Sequence, residues 1–434
     1  MLDINFIRQN QDKVQQNAIN KGIEVNISDL IRLDDNRREL QAAIDTVRHE
    51  RNTIADKTKQ AGGRPDAELI EKGKALKTEL ADLETKFTET YNQYLSLLKR
   101  VPNMALESVP VGLSEDENVV DYSVGELPKF DFEPKNHYEI AKNRGWIDKE
   151  RAANVAGARF AYIKGDLVRL QFAIINFVMD TLSDETVIAK IVRDNNLSIS
   201  TKPFVPVLPP YMIKTDQYDA MDRLEPRDDR YKIEGEDLWL QGSAEHVLGS
   251  MHAGEIFEEA DLPVRYLGYA TSFRKEAGTY GKDMEGILRM HQFDKLEMET
   301  FTTAEKSHEE HRLLVGIQEH MLQTLKLPYQ VIKKCTFDIG KPDAAGVDME
   351  VWLPGQNKYR ETHTADYMTD YQARRLQTRV RRNNGELELI HTNDATAFAL
   401  GRLLIAIIEN NQTADQKVII PEALRSYMGE KAEL

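Results

Sequence analysis

Two stretches of heptad pattern, separated by a cluster of helix-breaking residues, limit the N-terminal part of this chain more than any other feature. Leu33, Leu40, Val47 and Ile54 recur at steps of seven. Leu76, Leu80, Leu83, Phe87, Thr90, Tyr94 and Leu97 alternate steps of four and three. This spacing keeps an apolar seam along one side of a helix. Between the two stretches, Ala61-Gly62-Gly63-Arg64-Pro65-Asp66 is unfit for a helix interior. The pattern predicts helices over 28–60 and 67–99, folded back on each other as an antiparallel two-helix coiled-coil arm. At ~1.5 Å per residue such an arm projects on the order of 50 Å. Its seam is imperfect, because Arg37 and Arg51 flank Ile44 at the second seam position. Val101-Pro102-Asn103 ends the second helix.

Charge matters because it is uneven. The 434-residue chain carries a formal net charge of -15, which argues against nonspecific binding of nucleic acid over the whole surface. Residues 28–100 hold 14 basic and 14 acidic residues, so the arm is neutral on an acidic protein and is the better surface for a polyanion. Salt pairing within a coiled coil explains the same neutrality. The single cysteine, Cys335, excludes an internal disulfide and fits a reducing compartment. There is no run of 18 apolar residues and no secretory pattern at the start, so the expectation is a cytoplasmic protein with no membrane segment.

The organisation expected is an N-terminal domain with the arm over 1–105, a polar, acidic linker over 106–135 and a second domain over 136–434. That domain mixes a helix over Leu167–Leu182, an extended Pro203–Met212, strands over 264–276, 288–303 and Val347–Leu353, and a helix over Thr396–Asn410. Strands joined as hairpins rather than βαβ units indicate an α+β domain built on an antiparallel sheet flanked by helices.

The chemistry concentrates in four segments. In Arg289-Met290-His291-Gln292-Phe293-Asp294-Lys295-Leu296-Glu297, strand alternation sets Arg289, His291, Phe293, Lys295 and Glu297 on one face, and Met290, Leu296 and Met298 on the other. A hairpin with Phe273-Arg274-Lys275-Glu276 brings cations, an aromatic ring and carboxylates to one surface; a solvated strand of alternating charge is the plain alternative. Gly242-Ser243-Ala244-Glu245 lies upstream. Tyr359-Arg360-Glu361-Thr362-His363-Thr364 follows, and then Asp394-Ala395-Thr396 leading to Gly401-Arg402. Arg402 falls in an apolar, buried helix and needs an anionic partner there, either a structural carboxylate or a phosphate. Asp394 is placed to cap that helix. His363 and Asp366 suggest a metal, but two such ligands do not make a closed zinc site.

Residues 273–297 resemble motif 2 of the class II aminoacyl-tRNA synthetases in its seryl form, F-R-x-E-A-G through R-x-H-Q-F-x-K-x-E. Gly242–Glu245 is similar to the family's T-x-E segment, with Ser243 for threonine. Tyr359–Thr364 resembles Y-R-E-x-S-S, with His363 and Thr364 for two serines and Ala365-Asp366-Tyr367 for C-S-N. Asp394–Arg402 resembles motif 3, with Asp394 where asparagine is usual. Leu167–Leu182 with Val205–Met212 resembles motif 1, which forms the family's dimer interface.

The resemblance covers nearly the whole chain. It implies a class II synthetase catalytic domain behind a tRNA-binding arm, and an ATP-dependent ligase that makes seryl-adenylate and transfers serine to the 3′ end of tRNA(Ser) and of tRNA(Sec). It implies Arg274, Glu276 and Arg402 as catalytic residues, with Arg274 on the α-phosphate and Arg402 on the γ-phosphate. The implied ATP site is Arg274, Lys275, Glu276, Met290, Phe293, Glu361, Thr362, His363, Thr364 and Arg402, with Arg289 as a lesser phosphate contact. Serine is implied at Ser243, Ala244, Glu245, Arg274, Glu297 and Thr396. Mg²⁺ is implied at Glu361 and Thr364, and tRNA at Lys57, Lys59, Arg64, Lys72 and Lys74. The resemblance also implies a homodimer with the arm acting across subunits. The departures keep two alternatives open: a related synthetase with altered amino-acid specificity, and a non-catalytic coiled-coil interaction protein.

Overall fold

A computed structural model describes residues 1–60, 67–276 and 286–434. They divide into two compact units, Met1–Met104 and Ala105–Leu434.

In the first unit, helix α1 spans Ile27–Gln60 and helix α2 spans Ala67–Arg100. Ile44, Val47, Leu76 and Leu80 are buried between them, with Ile54, Leu83 and Phe87 packed alongside. Arg48 pairs with Glu84 at 2.7 Å, while Arg37 lies 5.1 Å from the Tyr94 ring centroid. Contacts that step forward on one helix and backward on the other define an antiparallel pair. Arg37 answers the imperfect seam. Its guanidinium leaves the interface to meet Asp34 at 2.7 Å and to cover Tyr94, so its apolar stem packs while its charge is paired. Asp34 is fully buried, and Arg8 and Arg38 also reach it, at 3.0 and 2.9 Å.

The second unit is built on an eight-stranded sheet. In chain order its strands are β1 (Val119–Val124), β2 (Val205–Val207), β3 (Val264–Phe273), β4 (Gln292–Thr302), β5 (Tyr329–Lys333), β6 (Ala345–Leu353), β7 (Lys358–Thr369) and β8 (His391–Ala399). Their spatial order is β1-β5-β6-β7-β8-β4-β3-β2, antiparallel throughout except for the edge pair of β2 with β3. Residues 106–135, read from the sequence as a linker, thus contribute strand β1 to this sheet. Helices α3 (Asp166–Ser183), α4 (Ser307–Thr324) and α5 (Leu400–Asn410) belong to one apolar layer against it. Leu170, Ile174, Ile317 and Leu404 meet Leu296, Met298 and Phe398 in that core. No helix among the described residues is long and apolar enough to cross a membrane.

Three sequence expectations need correction. The helix expected from Thr396 begins at Leu400, and Asp394 and Thr396 belong to strand β8. Seven consecutive residues of that strand, Thr392–Phe398, are buried. A central strand covered on both faces has the same apolar run as a buried helix, and Asp394 caps nothing. Pro203–Met212 is not one strand. Pro209-Pro210 separates β2 from Met212–Lys214, which pairs elsewhere. The hairpin of β3 with β4 is present, but its regular ladder runs from Val264↔Phe301 to Phe273↔Gln292. Arg274 to Glu276 and Arg289 to His291 lie beyond it, so strict alternation does not govern them.

Candidate active site

The polar face of the sheet carries a cavity walled by residues from all four chemical segments. Glu245, Arg274, Glu276, Arg289, Met290, Phe293, Glu297, Glu361, Thr362, Thr364, Thr396 and Arg402 line it. Arg223, Lys295, Asp366 and Asp394 line it too. Alternation in β4 directs Phe293, Lys295 and Glu297 to this face and Leu296 and Met298 to the core. Strand β8 adds Asp394 and Thr396, with Thr396 directly opposite Glu297. In β7 Met349 pairs with His363 and Glu350 with Glu361, which leaves Thr362 as the extra residue of a register shift, and both Glu361 and Thr362 reach the cavity.

At one end of the cavity the cations are pre-positioned. Arg274 donates from Nε to the Gly242 carbonyl at 2.9 Å and lies 5.4 Å from the Phe293 ring centroid. Arg402 donates to the Glu361 carboxylate at 2.8 Å and to its carbonyl at 2.9 Å. The carboxylate that the buried arginine required is therefore on the cavity wall. Glu361 raises the pKa of Arg402. Burial opposes charge on Glu361, yet Arg402 and Lys334 hold its carboxyl below the usual range. Arg289 pairs with Glu276 at 3.1 Å.

The other end is a buried charge cluster. Lys295 pairs with Glu297 and lies 3.8 Å from Glu245. It also donates to the Ser243 hydroxyl at 3.0 Å, which in turn donates to Glu297 at 3.2 Å. Burial pushes Glu297 up to about 8, against the pull of Lys295. Glu245 is buried as well, but Lys295 and His246 outweigh that and hold it well below the ordinary carboxylate range. Two carboxyls sharing one ammonium thus titrate apart: one ionised, one poised to hold a proton. Arg223 stands 3.2 Å from Asp343 and 3.7 Å from both Asp366 and Asp394. Burial first, then neighbouring acids, push Asp394 well above its ordinary value.

Some sequence-assigned residues stand off the wall. Ser243 and Ala244 are fully buried; Ser243 acts through Lys295 and Glu297, and Ala244 packs with Leu248 and Ala270. Lys275 sits over the Tyr231 ring. His363 turns to the opposite side of β7, 4.9 Å from the Phe398 ring, with Nδ1 2.8 Å from the Thr362 hydroxyl. Burial pushes it down to about 3, so it is neutral. Among the described residues, no three His, Cys, Asp or Glu side chains gather as a metal centre. In the arm, Lys57, Lys59, Lys72 and Lys74 are exposed, and Arg64 lies outside the described residues. Sequence reasoning did not assign Lys295 or Arg223. The first was visible as the middle member of the Phe293–Glu297 row. The second carries no local signal, because only the fold brings it to Asp366 and Asp394.

A cavity with arginines at one end and a paired lysine–glutamate cluster at the other suits a ligand that is anionic at one end and carries an ammonium at the other. Comparison with known proteins points the same way. Residues 1–105 match the family described as seryl-tRNA synthetase N-terminal domain, and residues 230–411 match tRNA synthetase class II core domain (G, H, P, S and T). A serine--tRNA ligase of Nitrosopumilus maritimus is 37% identical over 438 residues, covering 100% of both chains. Among solved structures, seryl-tRNA synthetase from Pyrococcus horikoshii complexed with ATP superposes with a TM-score of 0.88 at 35% identity, covering 100% of this chain and 99% of that one. Cytoplasmic serine-tRNA ligase from Naegleria fowleri in complex with AMP gives 0.83 at 28%, covering 100% and 98%.

Proposed function

Because this chain belongs to the seryl-tRNA synthetase family, we propose that its cavity is where serine and ATP react and that its arm engages tRNA. The chain is a serine--tRNA ligase of class II. The observation that carries the assignment of the site is the convergence of Arg274, Glu361, Arg402, Glu245, Glu297 and Thr396 on one cavity wall.

The reaction has two steps. The serine carboxylate attacks the α-phosphorus of ATP, and the bond to the β-phosphate oxygen breaks as pyrophosphate leaves. A ribose hydroxyl of the terminal adenosine of tRNA(Ser), or of tRNA(Sec), then takes the seryl group. A carboxylate ionised at neutral pH needs no base to attack. What the protein must supply is position and positive charge. Arg274, fixed by the Gly242 carbonyl and the Phe293 ring, faces the α-phosphate, and the same ring accepts the adenine. Arg402 exchanges Glu361 for the terminal phosphate. Fixed cations in a partly dry site stabilise developing phosphate charge without reorganising. Glu245, the ionised member of the carboxyl pair, takes the α-ammonium. Thr396 and Glu297 read the hydroxyl, and a site built to bond a hydroxyl rejects amino acids lacking it.

The residues at the phosphate end fit Mg²⁺. Glu361 offers a carboxylate, and Thr364 offers a hydroxyl oxygen whose own hydrogen is given to Asp348. Magnesium typically takes one or two protein carboxylates and completes its shell with phosphates and water. Bound there, it supplies charge neutralisation on the phosphates.

We also propose a homodimer. Phe172 on α3 is 54% exposed, and Val205, Leu208 and Tyr211 beside β2 are exposed at 56%, 75% and 41%. These are the elements read as motif 1, and analytical ultracentrifugation tests their pairing. Lys57, Lys59, Lys72 and Lys74 are the proposed tRNA contacts, and a cytoplasmic location fits the buried thiol of Cys335. The test of the function is serine-dependent ATP–pyrophosphate exchange by the wild-type enzyme. Exchange with serine is expected, and no exchange in a folded preparation sinks the assignment.

A further inference from the structure

Strands β7, β8 and β4 set three carboxyl groups side by side. Asp394 is directly opposite Asp366 on one flank and Glu299 on the other. All three are buried, at 6% exposure for Asp366, 4% for Asp394 and 0% for Glu299. Like charges facing each other across strands are destabilising, and a buried carboxylate needs a cation or several donors. The cations nearby are shared among several acids: Arg223 lies 3.7 Å from both Asp366 and Asp394, and Lys334 lies 3.9 Å from Asp366. Arg223 is closer to Asp343, at 3.2 Å, than to Asp394, at 3.7 Å, and Lys295 pairs with Glu297. Among the described residues, Asp394 Oδ2 and both carboxylate oxygens of Glu299 have no hydrogen-bond partner. Asp394 lines the cavity beside Thr396 and Glu245. Asp394 therefore borders the space proposed for the substrate side chain, and Glu299 lies behind it, outside the cavity wall.

A serine hydroxyl answers this arrangement poorly. It brings one donor and no charge, whereas an ammonium brings three donors and a full positive charge. We infer that this pocket also accepts an α-amino acid whose short side chain ends in an ammonium, bound by Asp394 with Glu299 behind it. The inference rests on reading the cavity as the site of amino-acid activation. The chemistry is unchanged: the carboxylate oxygen bonds to the α-phosphorus, the α–β phosphoanhydride bond breaks, and its electron pair leaves with pyrophosphate. The side-chain ammonium takes no part.

The experiment is ATP–pyrophosphate exchange by the full-length enzyme with L-serine, L-2,3-diaminopropionate and L-alanine. It is run on the wild type, Asp394→Asn and Glu299→Gln. The expected result is exchange with diaminopropionate at a kcat/KM within about tenfold of serine. Asp394→Asn, which keeps shape and removes charge, should lower the diaminopropionate-to-serine ratio at least tenfold. Glu299→Gln should lower it by a smaller factor, and decides the matter if the first variant does not fold. Exchange with serine and none with diaminopropionate overturns the inference and leaves the serine assignment standing. Exchange with both, at a ratio unmoved by either variant, overturns the role of the acidic row. Exchange with none of the three amino acids overturns the reading on which the inference rests.

Discussion

The arm and the cavity are stabilised by opposite means. The arm is a thin apolar seam with its charges outside, paired across or along the helices, as Arg48 is with Glu84 and Lys74 with Glu71. The cavity places its charges inside and its apolar residues behind the sheet. Exposed pairs of the first kind are worth little, roughly 0–1 kcal/mol. Buried clusters of the second kind are costly to form and costlier to break. The difference teaches where function is sensitive. Single changes in the arm should shift binding gradually, whereas single changes in the cavity should abolish chemistry.

Four measurements sharpen or break that contrast. The largest effect belongs to Arg274→Ala, which should lower the kcat of pyrophosphate exchange by about 10²–10³, as expected for removing a fixed group that stabilises transition-state charge. Loss of less than tenfold would place the α-phosphate elsewhere. Next, Leu404→Ala, in the core beneath the site, should destabilise the second unit by about 2–5 kcal/mol. Leu80→Ala in the arm seam should fall at the low end of that range, because its cluster has only four buried residues among the described residues, with Ile54, Leu83 and Phe87 partly buried alongside; chemical denaturation measures both. Equal costs would mean the seam is as tightly packed as the core.

Smaller still is the effect of changing Lys57, Lys59, Lys72 and Lys74 together to Ala. Pyrophosphate exchange should be unaltered. The KM for tRNA should rise on the order of tenfold, and the dependence of binding on salt should flatten as phosphate contacts are lost. A change in exchange instead would contradict the division of labour. The smallest is a pH effect. Burial raises the Glu297 pKa to about 8, so the folded state holds a proton that the unfolded chain releases near the ordinary glutamate value. Its stabilising contribution is complete below that ordinary value and is lost as pH rises through about 8. Thermal unfolding between pH 5 and 9 should therefore slope downward less steeply in Glu297→Gln than in the wild type.

The arm was legible in the sequence because its contacts are local: heptad steps and a breaker state both helices. In the cavity, what was legible came from strand alternation, which set Phe293, Lys295 and Glu297 together before any fold was known. Two kinds of residue escaped. Thr396, though assigned to the serine site, falls in the sequence pattern at the start of a helix with Asp394 as its cap, because a strand buried on both faces has no alternating pattern to betray it. Arg223 escaped because nothing near it in the chain names its partners; Asp343, Asp366 and Asp394 reach it only through the sheet and its loops.

Strand β8 passes into helix α5 with no residue between Ala399 and Leu400. Thr396 and Arg402, which both line the cavity, therefore lie six positions apart on one continuous strand-to-helix segment. A ligand held by Arg402 is expected to restrain Thr396 through this short stretch, across the irregularity between Thr396 and Phe398. The two small substrates should accordingly report on each other, each raising the other's affinity by the same factor, as thermodynamic reciprocity demands.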